Sequence, residues 1–168
     1  VLQCKGRGLV HYAGYGMRPH DFHLKAIDTG NVDLLLCFND YNLIRQTAAD
    51  DILPAAAAAD IGVMNGWSIL RGLLTGVDID AEQAKGRWKN DRDADAANII
   101  RKWCLEEGID LLQLALQFCL REERIHGNNI GSLNIEQLEA NVRAASTPLP
   151  DSVWEKYQAR FGDGITAE

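Results

Sequence analysis

The stretch Ile61-Gly62-Val63-Met64-Asn65-Gly66-Trp67-Ser68-Ile69-Leu70-Arg71-Gly72-Leu73-Leu74-Thr75-Gly76 decides how the chain is read. Its opening run, Ile61 to Met64, is apolar, too short for a helix and preceded by a helix-like segment, so it reads as a buried strand. The run breaks at Asn65-Gly66, where a glycine lets the backbone turn sharply or approach a ligand closely. A polar and aromatic loop follows, then a second apolar run closed by Thr75-Gly76. In an α/β protein, ligands sit on the loops that leave the C-terminal ends of parallel strands. On the plainer reading, Gly66 is an ordinary turn and Trp67 an ordinary packing residue.

The same alternation extends to both sides. Leu9 to Ala13 reads as a strand ending at Gly14-Tyr15-Gly16, and Pro19 to Ile27 as a helix stopped by Gly30. Val32 to Phe38 is nearly continuous in apolar character, as parallel strands buried on both faces are. The polar loop Asn39-Asp40-Tyr41-Asn42 follows, and Thr47 can cap a helix from Ala48 to Ala59. Beyond Gly76, the charged stretch from Val77 to Asp93 reads as a solvated loop. Asp78, Asp80 and Glu82 lack the glycine and terminal glutamate of a calcium loop. Ala94 to Glu107 is amphipathic with Gly108 as its stop, and Asp110 can cap a helix carrying Leu111, Leu114, Ala115 and Phe118 on one face. A weakly marked strand lies between Ile125 and Ile130. Asn134-Ile135-Glu136-Gln137 has the form of a capping box, opening a helix to about Ala145. Pro148 and Pro150 precede a last helix, Asp151 to Phe161. Strand–helix alternation implies a parallel sheet of about four strands, an open sheet or half of an eight-stranded barrel.

The 168 residues suit one domain, with 46% hydrophobic and 24% charged residues. A formal charge of -7 leaves no basic run to neutralise phosphates, which argues against nucleic acid. No apolar run approaches the roughly 20 residues that span a bilayer, and no signal peptide is recognisable, so the expected location is the cytoplasm. Cys4, Cys37, Cys104 and Cys119 show no metal spacing and read as reduced thiols. The chain opens at Val1 almost directly on a strand, and is expected to be a piece of a longer protein.

Chemistry-bearing motifs are sparse. His20 and His23 could share a helix face, but no nearby ligand completes a set, so both are expected to be exposed and no metal site is assigned. Gly14-Tyr15-Gly16 lacks the third glycine of a dinucleotide fingerprint. Neither a nucleophile elbow nor a phosphate loop is present, and no catalytic residue is assigned. Gly131-Ser132-Leu133-Asn134 leads from a strand into a capped helix, whose N-terminus can hold an anion or be a plain cap.

Taken in order, several segments resemble the aldo-keto reductase family, nearest its sugar dehydrogenase branch acting on galactose- or fucose-type aldoses. Asp33 to Leu43, ending Tyr41-Asn42-Leu43, is similar to the family's sixth strand, and Ile52-Leu53-Pro54 to its Leu-Leu-Pro helix. Gly62 to Gly66 and Gly72 to Gly76 resemble its seventh strand and cofactor loop. Leu114-Ala115-Leu116-Gln117-Phe118 resembles its Leu-Ala-Leu-Gln-Phe helix, and Gly131 to Val142 its last strand-to-helix turn. The resemblance implies an α/β fold, the C-terminal half of a (β/α)8 TIM barrel. It implies a cofactor, NADP or NAD, and hydride transfer to or from an aldehyde or sugar carbonyl. Matched to the pyrophosphate loop are Trp67, Ser68, Ile69 and Gly72; matched to the adenosine end are Gly131, Ser132, Gln137 and Asn141. The family's catalytic Asp, Tyr, Lys and His belong to the other half of the barrel, so residues 1–168 are expected to be one half-barrel segment, inactive alone. The positions that hold nicotinamide in the family differ: Gly16-Met17 replaces Ser-Asn, Phe38 a Gln, and Gly66 a stacking aromatic. Trp67-Ser68 replaces Ser-Pro, and Ala140 a Glu. A non-catalytic dinucleotide-binding or interaction module is the alternative expectation. Exposed strand edges are expected to favour self-association.

Overall fold

The computed structural model describes residues 1–162 and residue 165. The chain divides into two compact units, Val1–Ser68 with Cys119–Ile130, and Ile69–Phe118 with the residues from Gly131 onward.

The first unit is built on a parallel sheet. The chain enters through a one-turn helix α1 (Leu2–Gly6), then β1 (Gly14–Gly16), α2 (His20–Asp28) and β2 (Leu34–Phe38). A 3-10 turn at Thr47–Ala49 precedes α3 (Ile52–Ala58) and β3 (Gly62–Gly66), and β4 (Gly127–Asn129) completes the order β1-β2-β3-β4. Every neighbouring pair is parallel: Gly14 pairs with Leu34, Leu34 with Gly62, and Met64 with Gly127. Helix α2 lies against β1 and α3, and α3 lies against β3. Leu35, Cys37 and Val63 form one buried face, joined in the core by Leu43, Ile52 and Leu53. Full burial of an aliphatic side chain of that size contributes about 1.5–3 kcal/mol.

The opposite face is open. Leu34 and Leu36 remain 37% and 36% exposed, whereas Leu35 and Cys37 are at 0% and 1%. Strand β2 is therefore buried on one side, not both. Glycines flank its side chains: a Cβ at Gly16 would meet Leu36 Cβ at 3.3 Å, and one at Gly66 would meet Phe38 Cβ at 3.1 Å.

That packing explains two departures from the expected strands. The first strand is Gly14–Gly16, not Leu9 to Ala13, and the chain opens on α1. Asp33 anchors the register. Its carboxylate accepts from Ala13 N at 2.7 Å and Lys5 Nζ at 2.6 Å, and its amide donates to Ala13 O at 2.8 Å. A Cβ would be crowded at Gly16, beside Leu36, and with glycine at both ends the paired segment has only Tyr15 as a side chain to reveal it. Likewise β3 runs on through Asn65 to Gly66, and the turn falls at Trp67, whose φ is 65°.

Helix α3 is also shorter than expected from Thr47. Pro54 lacks an N–H and is tolerated only in a first turn. The helix therefore starts at Ile52, where Asp51 Oδ1 caps Ile52 N at 2.6 Å.

The second unit is helical. A left-handed turn at Leu70–Gly72 leads to α4 (Ile79–Ala84), α5 (Arg92–Glu107) and α6 (Leu111–Leu120, whose last two residues lie in the first unit). Helices α7 (Ile135–Ser146) and α8 (Asp151–Phe161) follow. The charged stretch expected as loop contains α4, because Asp78 Oδ1 caps Ala81 N at 3.2 Å and Ile79 is fully buried. Its carboxylates are paired: Asp78 with Arg101 (3.4 Å), Asp80 with Lys102 (3.1 Å), Glu82 with Lys85 (2.9 Å). Helix α5 stops at Gly108 in the left-handed region. Trp103 stacks edge-on with Phe161 at 5.3 Å and Tyr157 at 6.3 Å, tying α5 to α8. Helix α6 holds the end of α7 through two amides one turn apart. Gln117 Nε2 donates to Ala145 O at 2.6 Å, and Gln113 Nε2 to Thr147 O at 2.7 Å. Those bonds satisfy carbonyls that a helix C-terminus leaves unpaired.

No helix of the described residues is long and apolar enough to cross a membrane.

Candidate functional site

In the first unit, the C-terminal ends of β2, β3 and β4 meet in a buried polar network. Asn65 on β3 pairs in register with Asn128 on β4. Asn65 Nδ2 donates to Tyr41 O at 2.9 Å, Asn128 Oδ1 at 3.0 Å and Ser68 Oγ at 3.3 Å. Ser68 Oγ donates to Asn128 Oδ1 at 2.8 Å, and Cys119 Sγ approaches Tyr41 O at 3.6 Å. Asn65 and Ser68 are fully buried. Asn65 Oδ1 and Asn128 Nδ2 have no partner, leaving one acceptor and one donor unused within the network. Burial pushes the thiols of Cys37 and Cys119 up to about 12, so both pack as neutral groups.

The loop after β2 is equally constrained. Asn39 is left-handed at φ 65°, and Arg45 Nη1 donates to both its carbonyl and its Oδ1 at 2.9 Å. Asn42 Oδ1 accepts from Ile44 N and Arg45 N at 3.0 and 3.1 Å, an Asx turn. Burial, then the charge of Glu122, holds the Tyr41 phenol well above its ordinary pKa. Tyr41 therefore stays protonated and donates to Glu122 Oε2 at 3.4 Å.

The two histidines are not exposed as expected. His23 is fully buried, its Nε2 bonded to Met17 O and its ring edge-on to Tyr15 at 5.9 Å. His20 Nδ1 lies 2.8 Å from Asp51 Oδ1, and its Nε2 lies 3.5 Å from Asp40 Oδ2. Those carboxylates come from the end of β2 and the cap of α3, so helix spacing alone could not find them. Among the described residues, no group of three or more His, Cys, Asp or Glu is arranged to hold a metal ion.

Of the residues matched to the pyrophosphate loop, Trp67 and Ser68 fall in the first unit. Trp67 is 39% exposed, with its ring 5.8 Å from Phe38, while the Ser68 hydroxyl is committed to the buried network. Ile69 and Gly72 fall in the second unit. Ile69 O accepts from Gly72 N at 3.0 Å and Leu74 N at 3.2 Å, closing a tight turn. Leu70, Arg71 and Gly72 are consecutively left-handed, with φ of 46°, 56° and 93°. Two non-glycine residues there store strain, which the burial of Leu70, Leu73 and Leu74 offsets.

The four residues matched to the adenosine end all belong to the turn into α7. Asn134 Oδ1 caps Gln137 N at 2.8 Å. Gln137 Oε1 reaches back to Leu133 N at 2.9 Å, one residue before the amide expected from a capping box. Asn141, nine-tenths buried, donates from Nδ2 to Ser132 Oγ at 3.0 Å. Gly131 opens this turn. The loop has no basic residue, and Glu136 lies in the first turn of the helix.

The comparisons with known proteins accord with this arrangement. The profile of the aldo/keto reductase family matches residues 2–160. A D-threo-aldose 1-dehydrogenase from Pseudomonas sp is 26% identical over 164 residues, covering 95% of this chain and 49% of that protein. A pyridoxal 4-dehydrogenase from Microbacterium luteolum is 26% identical over 160 residues, covering 92% of this chain and 45% of that protein. The chain thus spans about half the length of the curated relatives it matches. A solved aldo-keto reductase from Bacillus halodurans, in its holo form, superposes with a TM-score of 0.73 at 23% identity over 94% of this chain and 52% of its own. The likeness identifies the four parallel strands and their helices as half of a TIM-barrel fold, and with the profile match over nearly its whole length the chain belongs to the aldo/keto reductase family, a family of oxidoreductases.

Proposed function

We propose that the chain carries the cofactor-binding half of an oxidoreductase that transfers hydride between a nicotinamide dinucleotide and an aldehyde or sugar carbonyl. The turn from Gly131 to Asn141 carries this reading. It places a helix N-terminus, a serine hydroxyl and three side-chain amides within one short segment. A buried amide such as Asn141 suits the donor and acceptor edge of adenine, and backbone N–H groups suit a phosphate. Ile69 and Gly72 of the second unit are proposed as phosphate-facing backbone; Trp67 and Ser68, in the first unit, are proposed for the same role on the resemblance alone.

The same turn bears on the choice of cofactor. A 2′-phosphate requires a cation, and the residues from Gly131 to Gln137 offer Glu136 and no Lys or Arg. NAD is therefore the proposed form, ahead of NADP. Calorimetric titration with NADH and NADPH tests this directly. Saturable binding that is tighter for NADH supports the proposal; no binding of either by a folded sample removes it.

A second reading has its own support. Gly66 stands where the resemblance expects an aromatic to stack on nicotinamide, and a Cβ there would meet Phe38 Cβ at 3.1 Å. A module that binds the dinucleotide through the proposed adenosine end without turnover is consistent with the altered nicotinamide positions. Residues 1–168 alone are expected to bind without catalysing, since no positions match the family's catalytic tetrad.

A further inference from the structure

Residues 65 and 66 form the sequence's single Asn-Gly pair, and the structure gives a reason for each of them. A Cβ at Gly66 would meet Phe38 Cβ at 3.1 Å, so β3 keeps a glycine there. Asn65 is fully buried, and its Nδ2 ties β3 to Tyr41 O, Asn128 Oδ1 and Ser68 Oγ. The pair is also chemically labile. In an open chain, glycine leaves its own backbone nitrogen unhindered and the backbone free to rotate, so that nitrogen can reach the preceding side-chain carbonyl carbon. Every other asparagine is followed by a residue with a side chain, which hinders that approach.

We infer that Asn65-Gly66 is a deamidation site that the folded network holds shut and that opening of β3 releases. The Gly66 nitrogen attacks Asn65 Cγ. A C–N bond forms, the Cγ–Nδ2 bond breaks, and ammonia leaves with the proton from the Gly66 N–H. Water then opens the cyclic imide at one of its two carbonyls. One opening leaves an aspartate in place of Asn65. The other carries the main chain through Cβ and Cγ, an isoaspartate with one extra backbone atom. Water is the only co-reactant.

Three features of the native state oppose the first step. The strand backbone is extended, with Gly66 in register between Phe38 and Asn129, and attack requires residue 65 to rotate out of that conformation. The leaving nitrogen is the same Nδ2 that three acceptors hold. Negative charge would develop on Asn65 Oδ1, which has no hydrogen-bond partner to stabilise it. Release of β3 removes all three restraints together. Neither product then fits back. A carboxylate would face the acceptors Tyr41 O and Asn128 Oδ1 with no proton to offer. An isoaspartate lengthens β3 inside its ladder and takes Gly66 out of register with Phe38. Passage through the open state is thereby recorded covalently, and unfolding becomes one-way.

Peptide mass spectrometry of the full chain, held at neutral pH with and without urea, tests the inference. Methyl transfer by an isoaspartyl methyltransferase identifies the isoaspartate. The expected result is conversion at Asn65 ahead of every other asparagine in the unfolded chain, and a native rate at least about a hundredfold slower. Gly66→Ala should slow conversion of the unfolded chain at least about tenfold. Ser68→Ala and Asn128→Ala keep the Asn-Gly pair and loosen its network. Each should speed native conversion at least about threefold and leave the unfolded rate unchanged. Far-ultraviolet circular dichroism shows that each variant remains folded. On dilution from urea midway through conversion, the folded fraction should be depleted in the modified peptide. Native conversion as fast as unfolded conversion would overturn the inference. So would another asparagine reacting first in urea, native rates indifferent to both network variants, or equal modification of the folded and unfolded fractions. None of these readouts depends on cofactor binding, so failure here leaves the proposed function standing.

Discussion

Asn65 and Asn128, 63 residues apart, face each other across β3 and β4, and Asn65 Nδ2 spans 3.0 Å to Asn128 Oδ1. One amide thereby joins two strands to the loop carbonyl of Tyr41 and the hydroxyl of Ser68. Asn65→Ala should destabilise the chain by about 1–3 kcal/mol, because Tyr41 O keeps only the long contact from Cys119 Sγ and Asn128 Oδ1 keeps only Ser68 Oγ. Asn65→Asp should cost more, since a buried carboxylate would face Tyr41 O and Asn128 Oδ1 with no proton to offer. Urea unfolding checks both. A loss below ~0.5 kcal/mol in Asn65→Ala would mean that water replaces the amide without cost.

The glycines of the sheet should respond unequally to alanine. Alanine reduces the entropy of the unfolded chain, which favours folding by about 0.4–1 kcal/mol where the space exists. At Gly14 the nearest atom to a new Cβ is Leu34 O at 3.5 Å, an ordinary contact. Gly14→Ala is expected to be neutral or stabilising. At Gly66 the neighbour is Phe38 Cβ at 3.1 Å, fixed to the backbone and unable to swing away. Gly66→Ala should therefore destabilise, by about 1 kcal/mol. Adding Phe38→Gly should relieve it, so the double-mutant cycle should show coupling at Gly66.

These positions show why parts of the fold were legible and others were not. Strand β2 and helices α5 to α8 carry apolar runs, apolar periodicity, glycine stops or caps in their own residues, and they fall where those signals place them. Strand β1 has no such signal. Its Gly-Tyr-Gly is paired because Leu34 and Leu36 of β2 occupy the space above it. Helix α4 is mostly polar and rests on one buried side chain, Ile79, and one cap. For the candidate site, the Gly131–Asn141 turn was readable because its partners lie within ten residues. The partners of His20 and of Asn65 arrive from other strands and loops, and no local spacing announces them.

Acid should weaken the fold through His23. Desolvation lowers its pKa below the usual 6.5, only partly offset by the hydrogen bond to Met17 O. His20 disfavours its charge, while Asp40 and Asp51 act weakly the other way. The buried ring is neutral, with Nε2–H donating and Nδ1 unpaired. Between the lowered folded value and the ordinary one, the unfolded chain binds more protons, so stability rises with pH. The contribution is complete above about pH 6.5 and is lost as pH falls below it toward the folded value. His23→Phe should flatten that part of the stability curve. An unchanged slope would assign the titration elsewhere.

The pair Ser132 and Asn141 tests whether the turn into α7 serves a ligand or only the helix. Asn141 Nδ2 reaches Ser132 Oγ across nine residues, and Asn141 is nine-tenths buried. Ser132→Ala should remove one hydrogen bond and about 1 kcal/mol of stability, leaving the amide in place but less well held. Asn141→Ala removes the amide as well, and should weaken NADH binding about tenfold, the equivalent of ~1.4 kcal/mol. Leu133→Ala is the control, because that side chain is 93% exposed and caps nothing. It should alter neither property. Thermal unfolding and calorimetric titration, run on the same three variants, separate the two roles. If Asn141→Ala lowers stability as much as Ser132→Ala does and leaves NADH affinity unchanged, the amide only braces the turn. If affinity falls while the melting temperature follows Ser132→Ala, Asn141 contacts the adenosine end directly.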